Sequence, residues 1–457
     1  MEVEIISREI IKPSKSLNNG LKSFQVSMLD ILAPNSYNPI IFFYSMNNNN
    51  QQHSHNATSR LKLSLSQALV RFPMVAGKFK GDSIHCSNEE DVGALFVEAK
   101  AKISMAEFLK APNLQLLAEF LPLSNPNGPS EKAFQITVQV NVFECGGIAI
   151  GAYFLHKVMD GTAGSAFIRS WAASCEGRAG KLVCGSFGLG SSLFPRREIW
   201  DGYGVCSEET PFVVKKGKSS TTRRFVLDAM AIANLKGKAK SASVPYPSRV
   251  EVVTSLVWKY ALKASRSCTS SDKKLACGED PKRGSAVVHF VDMRRRIEPP
   301  LSENEVGNIL WRSSTYYEAS SSDMELADLV ILLRQSLSKI NNDFIQKVTG
   351  DDGFETFLKS LQQLHEIYAK SSETFLFTSW RNMGFNEVNF GWGRPAWVAC
   401  GGTFGESIER NVIVLIDTPI GEGLEVWITL DDETMNLLEN DPEFLKFASL
   451  NPSVKFA

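Results

Sequence analysis

Apolar and polar residues alternate most clearly over residues 134–142. Phe134, Ile136, Val138, Val140 and Val142 take one parity, and Gln135, Thr137, Gln139 and Asn141 the other. That period predicts a half-buried strand. Glu144-Cys145-Gly146-Gly147 then predicts a hairpin turn, because paired glycines accept positive φ. Ile148 to Leu155 returns as an almost wholly apolar run, which predicts a central strand covered on both faces. His156 stands where that strand gives way to a loop, and Gly161 to Gly164 lead into a helix through Phe167, Ile168 and Trp171.

Elsewhere the period lengthens to that of a helix. From Ser59 onward Leu61, Leu65, Ala68, Leu69 and Phe72 share one face, and Pro73 and Gly77 end the run. The preceding stretch, 47–57, is polar and of low complexity and predicts a solvated loop, in which His53 and His55 are either solvated or a chelating pair. In the second half the pattern predicts a strand at Arg224–Leu227 and a helix from about Arg249 to Ala264. Val250, Val253, Thr254, Val257, Trp258 and Ala261 of that helix face inward. A strand at Ala286–Asp292 runs into Arg294-Arg295-Arg296. Strands at Val412–Ile416 and Leu424–Leu430 precede a last helix capped by Asp431 and Asp432.

Residues 176–222 are rich in Gly, Ser and Lys and lack sustained period, which predicts a crossover between two domains, 1–175 and 223–457. Helices and strands intersperse without a strict βαβ rhythm or an internal repeat, so the expected class is α/β with mixed sheets. Length agrees: 457 residues exceed one ordinary core.

Composition narrows the function classes. Hydrophobic residues at 43% and charged residues at 22% suit packed globular cores. A formal net charge of −1 gives no global field toward nucleic acid or an anionic membrane. Glu2, Glu4, Arg8 and Glu9 interrupt the start of the chain, which lacks a secretory layout, and no apolar run is long enough for a spanning helix. The eight cysteines are scattered without a C-x-x-C and predict reduced thiols, neither a disulfide framework nor a zinc site. A cytoplasmic location is expected, with the Asn56-Ala57-Thr58 sequon unused.

Four stretches carry candidate chemistry. His156 with Asp160 reads either as a general base with a carboxylate nearby or as a buried histidine satisfied by backbone; Asp160 either touches the imidazole or points away and braces the loop. Thr378-Ser379-Trp380 offers a hydroxyl and an indole N–H to an oxyanion, or is simply a strand end. The arginines from Arg294 to Arg296 suit a solvated face, a partner carboxylate or a phosphate. Asn389-Phe390-Gly391-Trp392-Gly393 contains nothing that titrates usefully and reads as architecture. No Gly-x-Ser-x-Gly elbow, Walker loop, His-Glu-x-x-His helix or strand-linked dinucleotide fingerprint occurs, which argues against the corresponding hydrolase, nucleotidase, protease and oxidoreductase classes.

In order along the whole chain, these stretches resemble the BAHD family of plant CoA-dependent acyltransferases. Val26-Ser27-Met28-Leu29-Asp30 is similar to an early Leu-Asp segment of that family, and Phe72-Pro73-Met74-Val75-Ala76-Gly77-Lys78 to its Tyr-Pro-x-Ala-Gly-Arg. His156-x-x-x-Asp160-Gly161 matches the family's hallmark; Ser248-Arg249-Val250-Glu251, Asp292-Met293-Arg294, Gly307-Asn308, Phe377-Thr378-Ser379-Trp380 and residues 389–393 follow. Asn389 stands where the family usually has Asp. The resemblance implies two similar-sized domains of mixed sheet and helices, like chloramphenicol acetyltransferase, around a channel with His156 at its centre. It implies that His156 takes the acceptor hydroxyl proton, that Asp160 pairs with Arg294, and that Thr378 and Trp380 steady the oxyanion. It also places Ser248, Arg249 and Arg294 among the residues expected to bind CoA. No metal or bound cofactor is implied, only acyl-CoA as co-substrate and a small-molecule alcohol as acceptor, and the enzyme is expected to be a monomer.

Within the family the alkaloid acetyltransferase group is the nearest in pattern, so acetyl transfer to an alkaloid or terpenoid hydroxyl is expected. Malonyl transfer would need a cation, for which Arg381 and Arg410 lie near in sequence, and aromatic acyl donors come third. A condensation domain shares His-x-x-x-Asp-Gly but usually carries two adjacent histidines, whereas Leu155 precedes His156 here. A non-catalytic acyl-CoA-binding relative is the remaining alternative.

Overall fold

Two β-sheets stacked face to face, each covered outside by helices, explain why so many strands are apolar on both sides. The computed structural model describes the chain except residues 16, 18–22, 46–50, 87–91, 123–132, 197–218, 273–283, 319–323, 402–410 and 455–457. The first sheet is ordered Val3–Ile11, Ala94–Ala101, Ile136–Phe143, Ile148–Leu155, Tyr37–Tyr44, Trp397–Ala399. The second runs Leu310–Tyr317, Gly284–Asp292, Ser371–Ser379, Val412–Asp417, Leu424–Asp431, Ser220–Leu227, Ser449–Leu450. Both mix parallel and antiparallel neighbours. The expected two-domain α/β architecture is therefore present.

Alternation decides which side chain meets which layer. Ile40, Phe42 and Tyr44 of the first sheet pack on Leu61, Leu65 and Trp171 from the helices Gln51–Arg71 and Gly161–Glu176. Their neighbours Ile41 and Phe43 turn to the other face and meet Leu376, Val412, Val414 and Trp427 of the second sheet. Phe375, Phe377, Ile413 and Leu415 face outward again, onto Val253, Val257 and Leu262 of the helix Arg249–Asp272.

The strand Ile136–Phe143 departs from the half-buried expectation: Gln135, Thr137, Gln139 and Asn141 are buried too. A 3₁₀ segment, Leu114–Phe120, lies over that polar face. Gln139 Nε2 donates to the Glu119 carbonyl at 2.8 Å and Asn141 Nδ2 to the Phe120 carbonyl at 2.9 Å, so these two buried amides are satisfied by backbone, whereas the Gln135 amide has no hydrogen-bond partner among the described residues. The expected loop at 47–57 is corrected as well. Helix begins at Gln51 and runs to Arg71, because the apolar stripe that docks on the first sheet recruits the polar residues before it; residues 46–50 and the side chains of His53 and His55 lie outside the described residues. Within 176–222, a 3₁₀ turn at Ala179–Lys181 and a short helix at Leu189–Leu193 precede a strand that starts at Ser220. The helix that Asp431 caps, Asp432–Glu439, is followed by one more, Pro442–Leu445.

The outer core of the second half holds a histidine away from the cavity described below. His289 is buried, its Nε2 is 3.2 Å from Thr254 Oγ1, and its Nδ1 has no hydrogen-bond partner among the described residues. Burial pushes its pKa from 6.5 down to about 4. A neutral buried imidazole that the unfolded chain would protonate costs stability as pH falls through 6.5, where only the unfolded state takes up the proton. Wild type should therefore lose about 2 kcal/mol of unfolding free energy between pH 6.5 and 5 on account of this residue. Urea titrations at both pH values should show a smaller loss in His289→Leu; an equal loss would remove His289 as the source.

Candidate active site

The strand Ile148–Leu155 ends against the N-terminal segment, with the His156 N–H donating to the Ser36 carbonyl at 2.9 Å. A tight turn then brings Asp160 to the start of the helix Gly161–Glu176, where its Oδ1 accepts from Ala163 N at 2.9 Å as N-cap. His156 is thereby held at a strand end and Asp160 at a helix start, four residues apart and facing different partners.

Asp160 turns into the protein. Arg294 Nη1 donates to its Oδ2 at 2.7 Å, Arg294 Nη2 to its Oδ1 at 3.2 Å and Ile309 N to its Oδ2 at 3.1 Å. Both side chains of this ion pair are 0% exposed. Arg294 also donates to Asp292 Oδ1 and to the Glu305 and Gly307 carbonyls. The guanidinium is thus spent on knitting the two halves together, and none of its surface reaches the cavity wall. Its neighbours have separate partners: Arg295 the exposed Glu303, and Arg296 the Leu337 and Ile340 carbonyls.

His156 is oriented by residues from elsewhere. Its Nδ1 lies 3.0 Å from Asn308 Oδ1. Asn308 Nδ2 donates to the His156 carbonyl at 2.7 Å and to Asp30 Oδ1 at 2.9 Å. Since both amide hydrogens are committed, the oxygen faces the ring, and Nδ1 must carry the proton. Nε2 is then left with its lone pair. Burial pushes the imidazole below its ordinary pKa, opposed by the charges of Asp160 and Asp30 and the Asn308 hydrogen bond, so the ring is neutral at pH 7.

Asp30 is the buried end of this chain of contacts. It accepts from Ser27 N, Ser27 Oγ, Asn308 N and Asn308 Nδ2. Burial raises its carboxyl above the ordinary value against those four donors. Sequence reasoning assigned no role to Asp30 or Asn308. The Ser27-x-x-Asp30 capping box was a visible cue for a helix start, and Gly307-Asn308 entered only through the family resemblance, with no role attached.

A cavity of about 1460 Å³ opens between the halves, and His156, Asn308, Thr378 and Trp380 all line it. Single-ligand pockets measure roughly 300–1,000 Å³, so this one has room for two reactants around one imidazole. Thr378 and Trp380 sit at the end of the strand Ser371–Ser379, where Trp380 N donates to the Leu415 carbonyl at 2.8 Å. The indole stacks edge-on against Phe385 at 5.8 Å, and its Cδ1 would lie 3.8 Å from a Cβ at Gly161. A hydroxyl, an indole and an imidazole therefore share one wall.

Three expected binding residues lie off that wall. Ser248 forms a capping box with Glu251: Ser248 N donates to Glu251 Oε2 at 2.7 Å, and Glu251 N to Ser248 Oγ at 3.2 Å. Arg249 pairs with Glu422 at 2.7 Å. Arg381 Nε donates to Asp417 Oδ1 at 2.7 Å and is turned away from the cavity, so it supplies no cation for a malonyl group; Arg410 lies outside the described residues.

Asn389 to Gly393 also lie away from the cavity. Asn389 Oδ1 accepts from Gly391 N at 2.8 Å and Gly393 N at 2.9 Å, a turn that places both glycines at φ near +100° (+107° and +101°), where a Cβ is disfavoured. Phe390 is fully buried edge-on to Trp171 at 4.8 Å, and Trp392 packs on Tyr44. Asn389 Nδ2 donates to Glu176 Oε1 at 2.9 Å. That contact accounts for Asn389 in this chain, because a carboxylate there would face Glu176. Asn389→Asp should lose about 1–2 kcal/mol of stability with kcat unchanged, measured by urea unfolding and turnover. A more stable variant would contradict the contact.

Among the described residues no helix is long and apolar enough to cross a membrane, and no group of three or more His, Cys, Asp or Glu side chains could hold a metal ion.

Comparison with known proteins places this geometry. Residues 1–445 match the Transferase family. Akuammiline synthase 2 of Alstonia scholaris is 35% identical over 463 residues, covering 99% of this chain and 98% of that protein. A limonoid 7-O-acetyltransferase of Citrus sinensis is 34% identical over 471 residues, covering 99% of each. Among solved structures, vinorine synthase superposes with a TM-score of 0.80 at 28% identity, over 99% of this chain and 100% of that one. The chain belongs to the BAHD Transferase family and is an acyltransferase that draws its acyl group from acyl-CoA.

Proposed function

We infer that the enzyme transfers acetyl from acetyl-CoA to a hydroxyl of an alkaloid or terpenoid scaffold, with His156 as general base. The observation that carries this reading is an imidazole whose Nδ1 proton is fixed by Asn308 while the ring lines a cavity large enough for two reactants. Nε2 takes the hydroxyl proton as the acceptor oxygen attacks the thioester carbonyl carbon. Thr378 Oγ and Trp380 Nε1 donate to the oxyanion that forms. The tetrahedral species then collapses, the C–S bond breaks, and the imidazolium returns the proton to the leaving CoA thiolate. A placed base contributes about 10²–10⁴-fold and one oxyanion donor about 10²–10³-fold, with no acyl-enzyme required.

Asp160 and Arg294 act as a brace. Residues 389–393 hold the fold. The limonoid 7-O-acetyltransferase of Citrus sinensis and the stemmadenine O-acetyltransferase of Catharanthus roseus support O-acetyl transfer. The enzyme works as a cytoplasmic monomer of two units, 1–175 and 223–457, joined through 176–222.

A mass-spectrometric screen of acetyl-, malonyl- and aromatic acyl-CoAs against alkaloid and terpenoid alcohols tests the reading. Acetylated product with matching release of free thiol is expected. Thiol release that does not depend on the acceptor would instead identify a thioesterase.

A further inference from the structure

We propose that Asp30 is a positioning residue for the transfer reaction: acting through Asn308, it keeps His156 protonated at Nδ1 and leaves Nε2 to accept. This deepens the general-base reading above and rests on it.

An asparagine beside an imidazole does not by itself choose a tautomer. Its oxygen and its nitrogen have nearly the same shape, and either can face Nδ1. With the oxygen there, Nδ1 carries the proton and Nε2 is the base. With the nitrogen there, Nδ1 must accept, the proton sits on Nε2, and that atom cannot deprotonate an alcohol. What lies at the other end of the amide decides between the two. Asn308 Nδ2 has two acceptors there, the His156 carbonyl at 2.7 Å and Asp30 Oδ1 at 2.9 Å. A turned amide would set its oxygen against both of them, in a place where Asp30 and Asn308 are each only 3% exposed.

The contacts of Asp30 explain why a carboxylate, and not an amide, stands at this position. Ser27 N donates to Oδ2 at 2.8 Å and Asn308 N to Oδ1 at 2.6 Å. Backbone N–H groups cannot turn round, so both side-chain oxygens have to accept. An amide would put its NH2 against one of the two. The capping box of the helix Met28–Ile31 uses Oδ2 alone, through Ser27 N and Oγ. Oδ1 is left to Asn308, which supplies both its backbone and its side-chain donor from 278 residues away. Gly307, at φ +136°, makes the turn directly before those donors. A carboxylate needed only as a helix cap would have no use for that second set of partners. Asp30 does not line the cavity, so its influence on the reaction passes through Asn308.

The test is Asp30→Asn in the full chain. Nitrogen-15 NMR of the histidine-labelled enzyme, with His156 assigned by the signals that His156→Ala removes, reports which ring nitrogen carries the proton. Wild type should show it on Nδ1, and Asp30→Asn should move it wholly or partly to Nε2. With acetyl-CoA and the alcohol that the screen above turns over fastest, kcat should fall about 10–10²-fold. KM for acetyl-CoA should change less than about threefold. A fall in kcat with the wild-type tautomer would make Asp30 a scaffold residue and overturn the inference, as would a wild-type kcat. A wild-type ring protonated on Nε2 would overturn it without any variant. If Asp30→Asn fails to fold, Asp30→Ser carries the same expectations, because a single oxygen cannot serve Ser27 and Asn308 together. Turnover that survives His156→Ala would instead remove the general-base reading; loss there beside full activity in Asp30→Asn removes this inference alone.

Discussion

His156→Ala is expected to lower kcat by about 10²–10⁴-fold while leaving the melting temperature within a few degrees of wild type. The catalytic loss follows from removing Nε2, the ring atom left with a lone pair once Asn308 fixes the Nδ1 proton. The structural loss is confined to one hydrogen bond at the cavity wall, worth about 1 kcal/mol. Steady-state thiol release and a thermal melt measure the two effects separately. The pH profile adds a check. Burial lowers the imidazole pKa, so the acid limb of kcat/KM should lie below the ordinary histidine value near 6.5. Activity that survives the substitution, or an acid limb above pH 7, would remove His156 as the base.

Asp160→Ala should behave differently, with stability and activity falling together. Arg294 is fully buried, and Asp160 receives two of its donated hydrogen bonds. Breaking a buried ion pair by removing one partner strands the other charge and costs about 3–5 kcal/mol. The Ala163 cap and the Ile309 contact are lost in the same substitution. Urea unfolding should show the lower midpoint, and kcat should fall because the turn that carries His156 begins the same helix. The double variant Asp160→Ala/Arg294→Met should recover part of the stability, since it no longer buries an uncompensated guanidinium. An unchanged midpoint with lowered kcat would place Asp160 in the chemistry instead of the scaffold.

The parts of this site that were legible in the sequence are those set by local period and local turns. An all-apolar run from Ile148 to Leu155 ends at a histidine, and the strand ends there in the structure. The stripe from Leu61 to Phe72 packs as its spacing dictates. What escaped depends on contacts between distant segments. Gln139 and Asn141 look like solvent-facing residues until the 3₁₀ segment covers them. Asn308 lies 152 residues from the imidazole that it orients, and Asp30 lies 278 residues before Asn308, so no window along the chain joins the three. The helix start at Gln51 was hidden for a related reason: its composition is that of a loop, and only docking of the apolar residues after it favours helix.

One strand of the first sheet reaches it from far along the chain. Trp397–Ala399 pairs antiparallel with Tyr37–Tyr44, beside the loop that anchors Phe390 against Trp171. During synthesis, the edge offered by Ile41 to Phe43 therefore stays open until almost nine-tenths of the polypeptide has left the ribosome. An apolar strand edge held open that long is a template for pairing with other nascent chains. Neither sheet can close until this late stretch of the chain is made, since the second sheet draws Val412–Asp417, Leu424–Asp431 and Ser449–Leu450 from beyond it.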